Sequence, residues 1–220
     1  MRPIFKINGY YRTGTNWLAH LLRANVPGAI VFEQSMGQKH SVPTACDCWH
    51  VYKRMSDLGE CSQDDYAYAR QNVDTAIGIL IAKSPAAFAV SYKRFNPECV
   101  LSSEIVNYSG FIKYSLERVA EYPNRWRTIT YESLLENTAS TLSVVAGRAV
   151  QLSDPVAQVV SAAGVRTDKA FDKKDYYLCR RYLADLSQDE LAMVNDLTDW
   201  DTMRWFGYSA VEKEHANGSA

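Results

Sequence analysis

The clearest candidate for a functional site in this sequence is a short loop between Gly9 and Gly14. The two glycines are separated by four residues, which is the spacing of a phosphate-binding loop. Glycines let the backbone curl, so that its N–H groups and the N-terminus of a following helix can surround an oxyanion. A Walker A loop would continue with Lys and then Ser or Thr, but Thr15 and Asn16 stand there. The basic residue is instead Arg12, inside the loop. The pattern therefore predicts a site for a smaller anion than a nucleoside triphosphate with Mg²⁺.

This loop needs a strand before it and a helix after it, and the apolar pattern predicts both. Strands are predicted over residues 3–8, 29–32, 75–82 and 127–131, and helices after residue 14, over 63–72, from Pro85, and over 101–120, 133–145 and 186–197. Ser133 and Glu136 have the spacing of a capping box, and so do Ser187 and Glu190. The alternation predicts an α/β fold with three layers, a mostly parallel sheet flanked by helices. Ligands of such sheets bind at the carboxyl ends of the strands.

Composition limits the class of protein. The 220 residues carry 24 Lys and Arg against 25 Asp and Glu, so no overall positive field would attract nucleic acid or an anionic membrane. No apolar stretch approaches the roughly 20 residues that span a bilayer, and Lys6 interrupts the apolar run that a signal peptide would need. Five scattered cysteines do not predict a disulfide framework. We expect a soluble, cytoplasmic protein with a single domain over residues 1–210 and a frayed tail over 211–220.

The segment from Tyr10 to Trp17 resembles a loop of a known family. It reads Tyr-Tyr-Arg-Thr-Gly-Thr-Asn-Trp, and sulfotransferases that use 3′-phosphoadenosine 5′-phosphosulfate (PAPS) typically read Tyr-Pro-Lys/Arg-Ser-Gly-Thr-Thr-Trp at their 5′-phosphosulfate loop. The closing segment, residues 200–208, is similar to the C-terminal ends of small bacterial and phage members. The resemblance implies a P-loop sulfotransferase fold without a metal ion. The residues it implies for the 5′ end of PAPS are Arg12, Thr13, Gly14, Thr15, Asn16 and Trp17.

A second stretch resembles the element that binds the 3′-phosphate in this family. Lys83 follows the third predicted strand and Ser91 comes eight positions later, so a cation and a hydroxyl about two helical turns apart can converge on one anion. The family usually has Arg at the first position, whereas Lys binds phosphate as a point charge without a bidentate fork. The same resemblance implies that Tyr131 contacts the adenine and that Arg166 and Lys169 close over the 3′-phosphate.

Sulfuryl transfer needs a base for the proton of the acceptor and positive charge on the oxygen that leaves with the nucleotide. His40 follows the second predicted strand, in a stretch that resembles the one with the catalytic His of cytosolic sulfotransferases. Its imidazole has an ordinary pKa near ~6.5, which suits proton abstraction. Glu33 is the alternative, because other sulfotransferase branches use a carboxylate at the end of this strand. Arg12 is predicted to neutralise the charge on the bridging oxygen.

Other functions stay open at this stage. A P-loop kinase or other nucleotide phosphotransferase would bind ATP with Mg²⁺, and a non-catalytic protein of the same fold would bind 3′,5′-adenosine bisphosphate without transfer. Cys46, Cys48 and His50 have side chains that can bind zinc, but their spacing favours free thiols in a loop. The acceptor is expected to be a hydroxyl or amine on a small molecule or carbohydrate, with no nucleic acid or membrane partner. The sequence specifies neither that acceptor nor the oligomeric state.

Overall fold

The fold is an α/β fold with an all-parallel sheet, as the sequence predicts. The computed structural model describes residues 1–33, 39–43, 61–153 and 173–211. The strands are β1 (Ile4–Asn8), β2 (Ile30–Phe32), β3 (Ile77–Ala82) and β4 (Trp126–Thr130), in the spatial order β2-β1-β3-β4. Every adjacent pair is parallel. Parallel strands need crossover connections, and helices supply them along the described chain.

Helices flank this sheet. The α-helices are α1 (Thr15–Asn25), α2 (Gln63–Gln71), α3 (Pro85–Phe95), α4 (Leu101–Glu121), α5 (Tyr131–Glu136), α6 (Thr138–Ala146), α7 (Lys173–Leu178), α8 (Gln188–Leu197) and α9 (Trp200–Arg204). Short 3₁₀ turns cover Val73–Thr75 and Arg181–Asp185. The helix predicted over residues 101–120 is confirmed as α4, and its side chains Ile105, Tyr108 and Ile112 are all fully buried.

Alternating side chains of the strands build a core on each face of the sheet. Phe5 and Ile7 of β1 belong to a cluster with Leu18 of α1 and with apolar residues of α5, α6 and α8. Ile4 points to the opposite face and joins a second cluster that includes Tyr108 of α4. The sheet is therefore covered by helices on both faces, which is why its strands read as continuous apolar runs in the sequence.

One predicted helix is wrong. The sequence suggested a single helix over residues 133–145 that starts with a capping box of Ser133 and Glu136, but two helices, α5 and α6, occupy this region and meet at Asn137. The capping box belongs to Thr130 and Ser133 instead. Thr130 is the last residue of β4, so its hydroxyl begins α5 without any loop. The capping box of Ser187 and Glu190 is confirmed at the start of α8.

Several predictions fall on residues outside the described part. They include the closing loop with Arg166 and Lys169, the possible zinc ligands Cys46, Cys48 and His50, and residues 212–220. Val211, where the tail was expected to begin, is buried, and its backbone exchanges two hydrogen bonds with the side chain of Asn195.

Candidate functional site

The candidate site lies where the chain changes direction across the sheet. From β1 the chain passes through α1 to β2 on one side, and it later enters β3 on the other side of β1. The loops that leave β1 and β3 therefore diverge, and a crevice opens at the carboxyl ends of these two strands. Gly9 and Lys83 are the first residues after β1 and β3. The sheet thus brings the two predicted pieces of the site to one crevice.

The loop after β1 is tightly packed, and both of its glycines are required. A Cβ on Gly9 would lie 2.7 Å from both Ile81 Cγ2 and Thr13 Oγ1. Gly14 has φ 96°, and a Cβ there would lie 2.5 Å from Cδ2 of Tyr131. Left-handed backbone and close approach are the two conditions that favour glycine. The loop is therefore held in one curled shape by the sheet on one side and by the Tyr131 ring on the other.

The first turn of α1 offers free backbone donors to this crevice. The first intrahelical hydrogen bond runs from the Leu18 N–H to the Gly14 carbonyl at 3.0 Å, so the N–H groups of Thr15, Asn16 and Trp17 precede the ladder. The N-cap residue, Gly14, has no side chain that could cap this end, and the first turn of the helix contains no acidic residue. The helix dipole and these N–H groups favour an anion at this position.

Two residues of the loop motif, Thr13 and Trp17, are buried and support the shape of the loop. Thr13 is fully buried and donates from Oγ1 to the Tyr10 carbonyl at 2.8 Å, so it shapes the loop. Trp17 is buried behind the loop and meets the ring of Tyr131 edge-on, with centroids 5.7 Å apart. Tyr131 is itself only 6% exposed. Its ring forms the inner wall of the crevice, and its contact with adenine stays a prediction.

Arg12 is the exposed cation of the loop. Its backbone adopts φ 66°, which is uncommon for a residue with a Cβ. The guanidinium lies over the ring of Phe95, at the end of α3, 4.9 Å from the centroid. Among the described residues it forms no ion pair with a carboxylate. A cation–π contact of this kind holds the side chain without neutralising its charge, so Arg12 remains available to an anion.

Lys83 and Ser91 meet as the eight-residue spacing predicts. The Lys83 ammonium donates to Ser91 Oγ at 2.6 Å, and Lys83 is only 2% exposed. Burial lowers the pKa of Lys83 to about 7; the nearby Glu132 carboxylate opposes this shift, and Arg12 and Arg94 add to it. Within the described part of the chain no carboxylate forms an ion pair with this amine. Such a buried amine favours an incoming anion, because that anion would stabilise its charged form.

His40 is fixed against the phosphate-binding loop by two contacts. Its Nδ1 lies 2.7 Å from the Gly9 carbonyl, and its ring packs against the ring of Tyr11 at a tilt of 31°, with centroids 4.2 Å apart. Because a carbonyl oxygen only accepts, Nδ1 carries the proton, and Nε2 is the basic nitrogen of the neutral ring. Burial is the main cause that lowers the pKa of His40, and the neighbouring Lys39 adds to it. The imidazole is therefore neutral at pH 7, as a base must be.

Glu33, the alternative base, is engaged in ion pairs. Its carboxylate pairs with Lys39, and with Arg23 of α1 at 3.3 Å. Lys39 also donates to the side chain of Asn16 in the first turn of α1. The backbone of the same segment is anchored as well, since the Gly9 N–H donates to the Lys39 carbonyl at 2.8 Å. These bonds make Glu33 a structural anchor for the segment that carries His40.

The structure adds residues to the crevice that the sequence reasoning did not select. Glu132 accepts hydrogen bonds from the Ser84 N–H at 3.1 Å and from the Tyr208 hydroxyl at 2.5 Å, so it ties the loop after β3 to the C-terminal segment. Tyr177 of α7 covers Lys83. Two of the added residues could have been identified from the sequence, because each is adjacent to a residue that the sequence analysis selected. Glu132 directly follows Tyr131, and Lys39 directly precedes His40. Tyr177 carries no signal in the sequence, because only the fold brings α7 to β3.

Comparison with models of protein families and with curated protein sequences gives no match for this chain. Over residues 1–33, 39–43, 61–153 and 173–211, no group of three or more His, Cys, Asp or Glu side chains is arranged to hold a metal ion. Within those same ranges no helix has both the length and the apolar character needed to cross a bilayer.

Proposed function

We propose that this chain is a cytoplasmic sulfotransferase with a P-loop sulfotransferase fold. It transfers the sulfuryl group of PAPS to a hydroxyl or amine of a small-molecule or carbohydrate acceptor and releases 3′,5′-adenosine bisphosphate. The observation that supports this most is the pairing of two separate anion sites. One is the loop with Arg12 and the uncapped start of α1; the other is the buried pair of Lys83 and Ser91.

Two anion sites in one crevice suit a nucleotide with a phosphate at each end of its ribose. β1 and β3 are neighbours, so the loops that leave them start about 5 Å apart. In this proposal the N–H groups of the first turn of α1 bind the 5′-phosphosulfate and Lys83 with Ser91 binds the 3′-phosphate. The ring of Tyr131 lies between the two sites, since it contacts Gly14 on one side and Lys83 on the other. The adenosine would then lie against this wall.

His40 acts as the base in the proposed reaction. Its Nε2 takes the proton of the acceptor hydroxyl while the acceptor oxygen forms a bond to sulfur. The bond between sulfur and the bridging oxygen breaks in line with this attack, and its electron pair stays on that oxygen of the leaving bisphosphate. Arg12 stabilises the negative charge that develops there. The transferred group carries a single negative charge, so the proposed step does not need a metal ion to neutralise it.

The pairing of charges ranks His40 above Glu33 as the base. Both oxygens of the Glu33 carboxylate are engaged in ion pairs, one with Arg23 and the other with Lys39. In His40, by contrast, burial favours the neutral ring that a base needs. We therefore assign proton transfer to His40 and assign to Glu33 the positioning of the segment that carries it.

The test is the transfer of labelled sulfate from PAPS to a panel of phenols, amines and sugars. We expect Arg12→Ala to lower kcat by roughly 10²–10³-fold, as the loss of one charge-stabilising donor does. We expect His40→Ala to lower kcat by roughly 10²–10⁴-fold. Matched controls are Arg118→Ala, an exposed arginine that pairs with Glu121 on α4, and His20→Ala on the exposed face of α1. Both controls should keep wild-type rates.

Calorimetry separates the kinase from the two other functions, and the transfer assay then separates the enzyme from the non-catalytic binder. Binding of 3′,5′-adenosine bisphosphate without transfer to any acceptor would favour a non-catalytic nucleotide-binding protein. Binding of ATP with Mg²⁺ in preference to the bisphosphate would favour a kinase, although Thr15 and Asn16 replace the Lys and Ser/Thr that such a site uses. Wild-type turnover in both Arg12→Ala and His40→Ala would refute the assigned roles.

A further inference from the structure

The ammonium of Lys83 is enclosed by aromatic rings. The Lys83 Nζ lies 4.0 Å from the ring centroid of Tyr177 and 4.4 Å from that of Tyr131, and its hydrogen bond goes to Ser91. The Tyr177 hydroxyl lies 2.8 Å from the same Ser91 Oγ. Both partners of the predicted 3′-phosphate are therefore in contact with Tyr177.

A phosphate and the Tyr177 ring cannot bind to this pair together. A phosphate oxygen would approach the ammonium to about 2.8 Å, and the directions not used by Ser91 are covered by the two rings. Tyr131 is fixed, because it is the first residue of α5 directly after β4 and its ring lies against Gly14. Tyr177 instead lies on α7, a helix of six residues. The ring that must leave is that of Tyr177.

We propose that Tyr177 occupies the 3′-phosphate position of the free protein and that a nucleotide carrying this phosphate displaces it. The inference rests on the proposed function, because it assumes that Lys83 and Ser91 bind that phosphate. The exchange is favourable for a phosphate, because its charge pairs with the Lys83 ammonium and a charge-assisted hydrogen bond is about twice as strong as a neutral one such as that between Tyr177 and Ser91. A nucleotide without a 3′-phosphate brings no such compensation.

Tyr177 is thus a specificity-determining residue. Displacing its ring costs the hydrogen bond to Ser91 and the cation–π contact with Lys83, and this cost falls only on ligands that place a group on the pair. A 5′-monophosphate such as AMP can bind the loop after β1 and leave Tyr177 where it is. The free-protein contact therefore reduces affinity for the bisphosphate and does not change affinity for AMP.

Two substitutions at Tyr177 test this. Tyr177→Phe removes the bond to Ser91 and keeps the ring, so the Kd for 3′,5′-adenosine bisphosphate should fall by about 2–10-fold, the value of one hydrogen bond. Tyr177→Leu also removes the cation–π contact and should lower that Kd further. The Kd for AMP should be the same in the wild type and in both variants. Tyr114→Phe, an exposed tyrosine of α4, is the matched control.

A chemical readout on the wild-type protein does not depend on the variants folding. Tyr177 is 9% exposed in the free protein, so nitration of its ring by tetranitromethane should be slow. Saturating bisphosphate should speed nitration of Tyr177 several-fold, whereas AMP should leave it unchanged. Peptide mapping by mass spectrometry locates the modified ring, with Tyr114 as the internal standard.

The outcomes distinguish this inference from the proposed function. If the bisphosphate binds and Lys83→Met weakens its binding to the affinity of AMP, the phosphate site stands; an unchanged or higher Kd in Tyr177→Phe, or unchanged nitration, then overturns only the displacement of Tyr177. If Lys83→Met binds the bisphosphate as tightly as the wild type, Lys83 does not hold the phosphate. The proposed nucleotide site and this inference then fall together.

Discussion

Lys83 is the residue on which the chemistry of the crevice depends most. An ammonium that is 2% exposed loses its hydration, and the contacts that replace water are one hydroxyl and two aromatic rings. Such contacts do not match an ion pair, which explains why burial lowers the pKa of Lys83 to about 7. A buried cation with neutral partners lowers the stability of the fold. It suits the binding of a phosphate dianion, because the ligand supplies the missing negative charge.

The pH dependence of nucleotide binding follows from this residue. The free protein has neutral Lys83 above pH 7, while the bound phosphate holds it protonated, so binding takes up a proton between about pH 7 and 9. The Kd for 3′,5′-adenosine bisphosphate should therefore rise with pH in this range, by up to about tenfold per pH unit. Below pH 6 the phosphate itself loses its second charge, since its second pKa is about 6. Affinity should peak between these limits.

Calorimetry measures this uptake directly. We expect titrations at pH 8 in two buffers with different ionisation enthalpies to give different binding heats. The difference should correspond to the uptake of nearly one proton per bisphosphate bound. The groups whose charges act on Lys83 are Glu132, Arg12 and Arg94, and the rings of Tyr131 and Tyr177 cover it. AMP, which does not reach Lys83, is the control and should show no such difference. Equal heats in both buffers for the bisphosphate would contradict the assignment.

At the scale of elements, the strands and the long helices were predictable and their contacts were not. β3 is a continuous apolar run that only a buried central strand explains, and α4 repeats its apolar residues on one face. The helix expected over residues 133–145 failed because the pattern does not show where a side chain will cap. Thr130 begins α5 from within the last residue of a strand, and Asn137 starts α6.

The candidate site was predicted in its parts. The spacing of Lys83 and Ser91 reflects helix geometry within one element, so it could be read from the sequence. The adjacency of β1 and β3, the hydrogen bond from His40 to the Gly9 carbonyl and the position of Tyr177 over Lys83 join residues that lie far apart in the chain. Residue types and spacing carry no information about such contacts.

The packing of β3 against β4 gives a prediction at this scale. Gly78 pairs with Trp126 across the sheet, and a Cβ on Gly78 would lie 2.4 Å from the Trp126 ring. Trp126 is buried, so its ring has little room to move. Gly78→Ala should lower the free energy of unfolding by about 1–3 kcal/mol, as overpacking does. Urea denaturation measures this change.

Gly110 provides the matched control for that substitution. It lies within α4, and a Cβ there would meet no atom within 4 Å. Gly110→Ala should raise the free energy of unfolding by about 0.5–1 kcal/mol, because alanine is the better helix former. Equal effects of the two substitutions would mean that the contact with Trp126 does not limit β3.

At the scale of the whole molecule, the chain has a net charge of −1 and places its binding cations locally. Several other basic side chains form ion pairs: Lys93 contacts Glu190 at 2.6 Å and Arg94 contacts Asp185 at 2.8 Å. Arg12 and Lys83 instead have aromatic partners. The proposed nucleotide would therefore be attracted by these local cations and not by a positive field over the surface.

Stability and binding should consequently oppose each other at Lys83. Lys83→Met keeps the length of the side chain and removes the buried charge, so it should raise the Tm of the free protein by roughly 2–6 °C at pH 6. This gain should shrink as pH rises from about 7 toward 10, because the wild-type penalty belongs to the charged amine: unfolded Lys83 binds its proton in that range and folded Lys83 does not.

Saturating bisphosphate at 100 Kd should stabilise the wild type by about 2.7 kcal/mol. The variant should gain no more from it than from AMP at the same concentration. Thermal unfolding with and without bisphosphate at pH 6 and 9 measures all four quantities, with Lys113→Met on the exposed side of α4 as the control. A Tm of Lys83→Met below that of the wild type at pH 6 would show that the enclosed ammonium stabilises the fold.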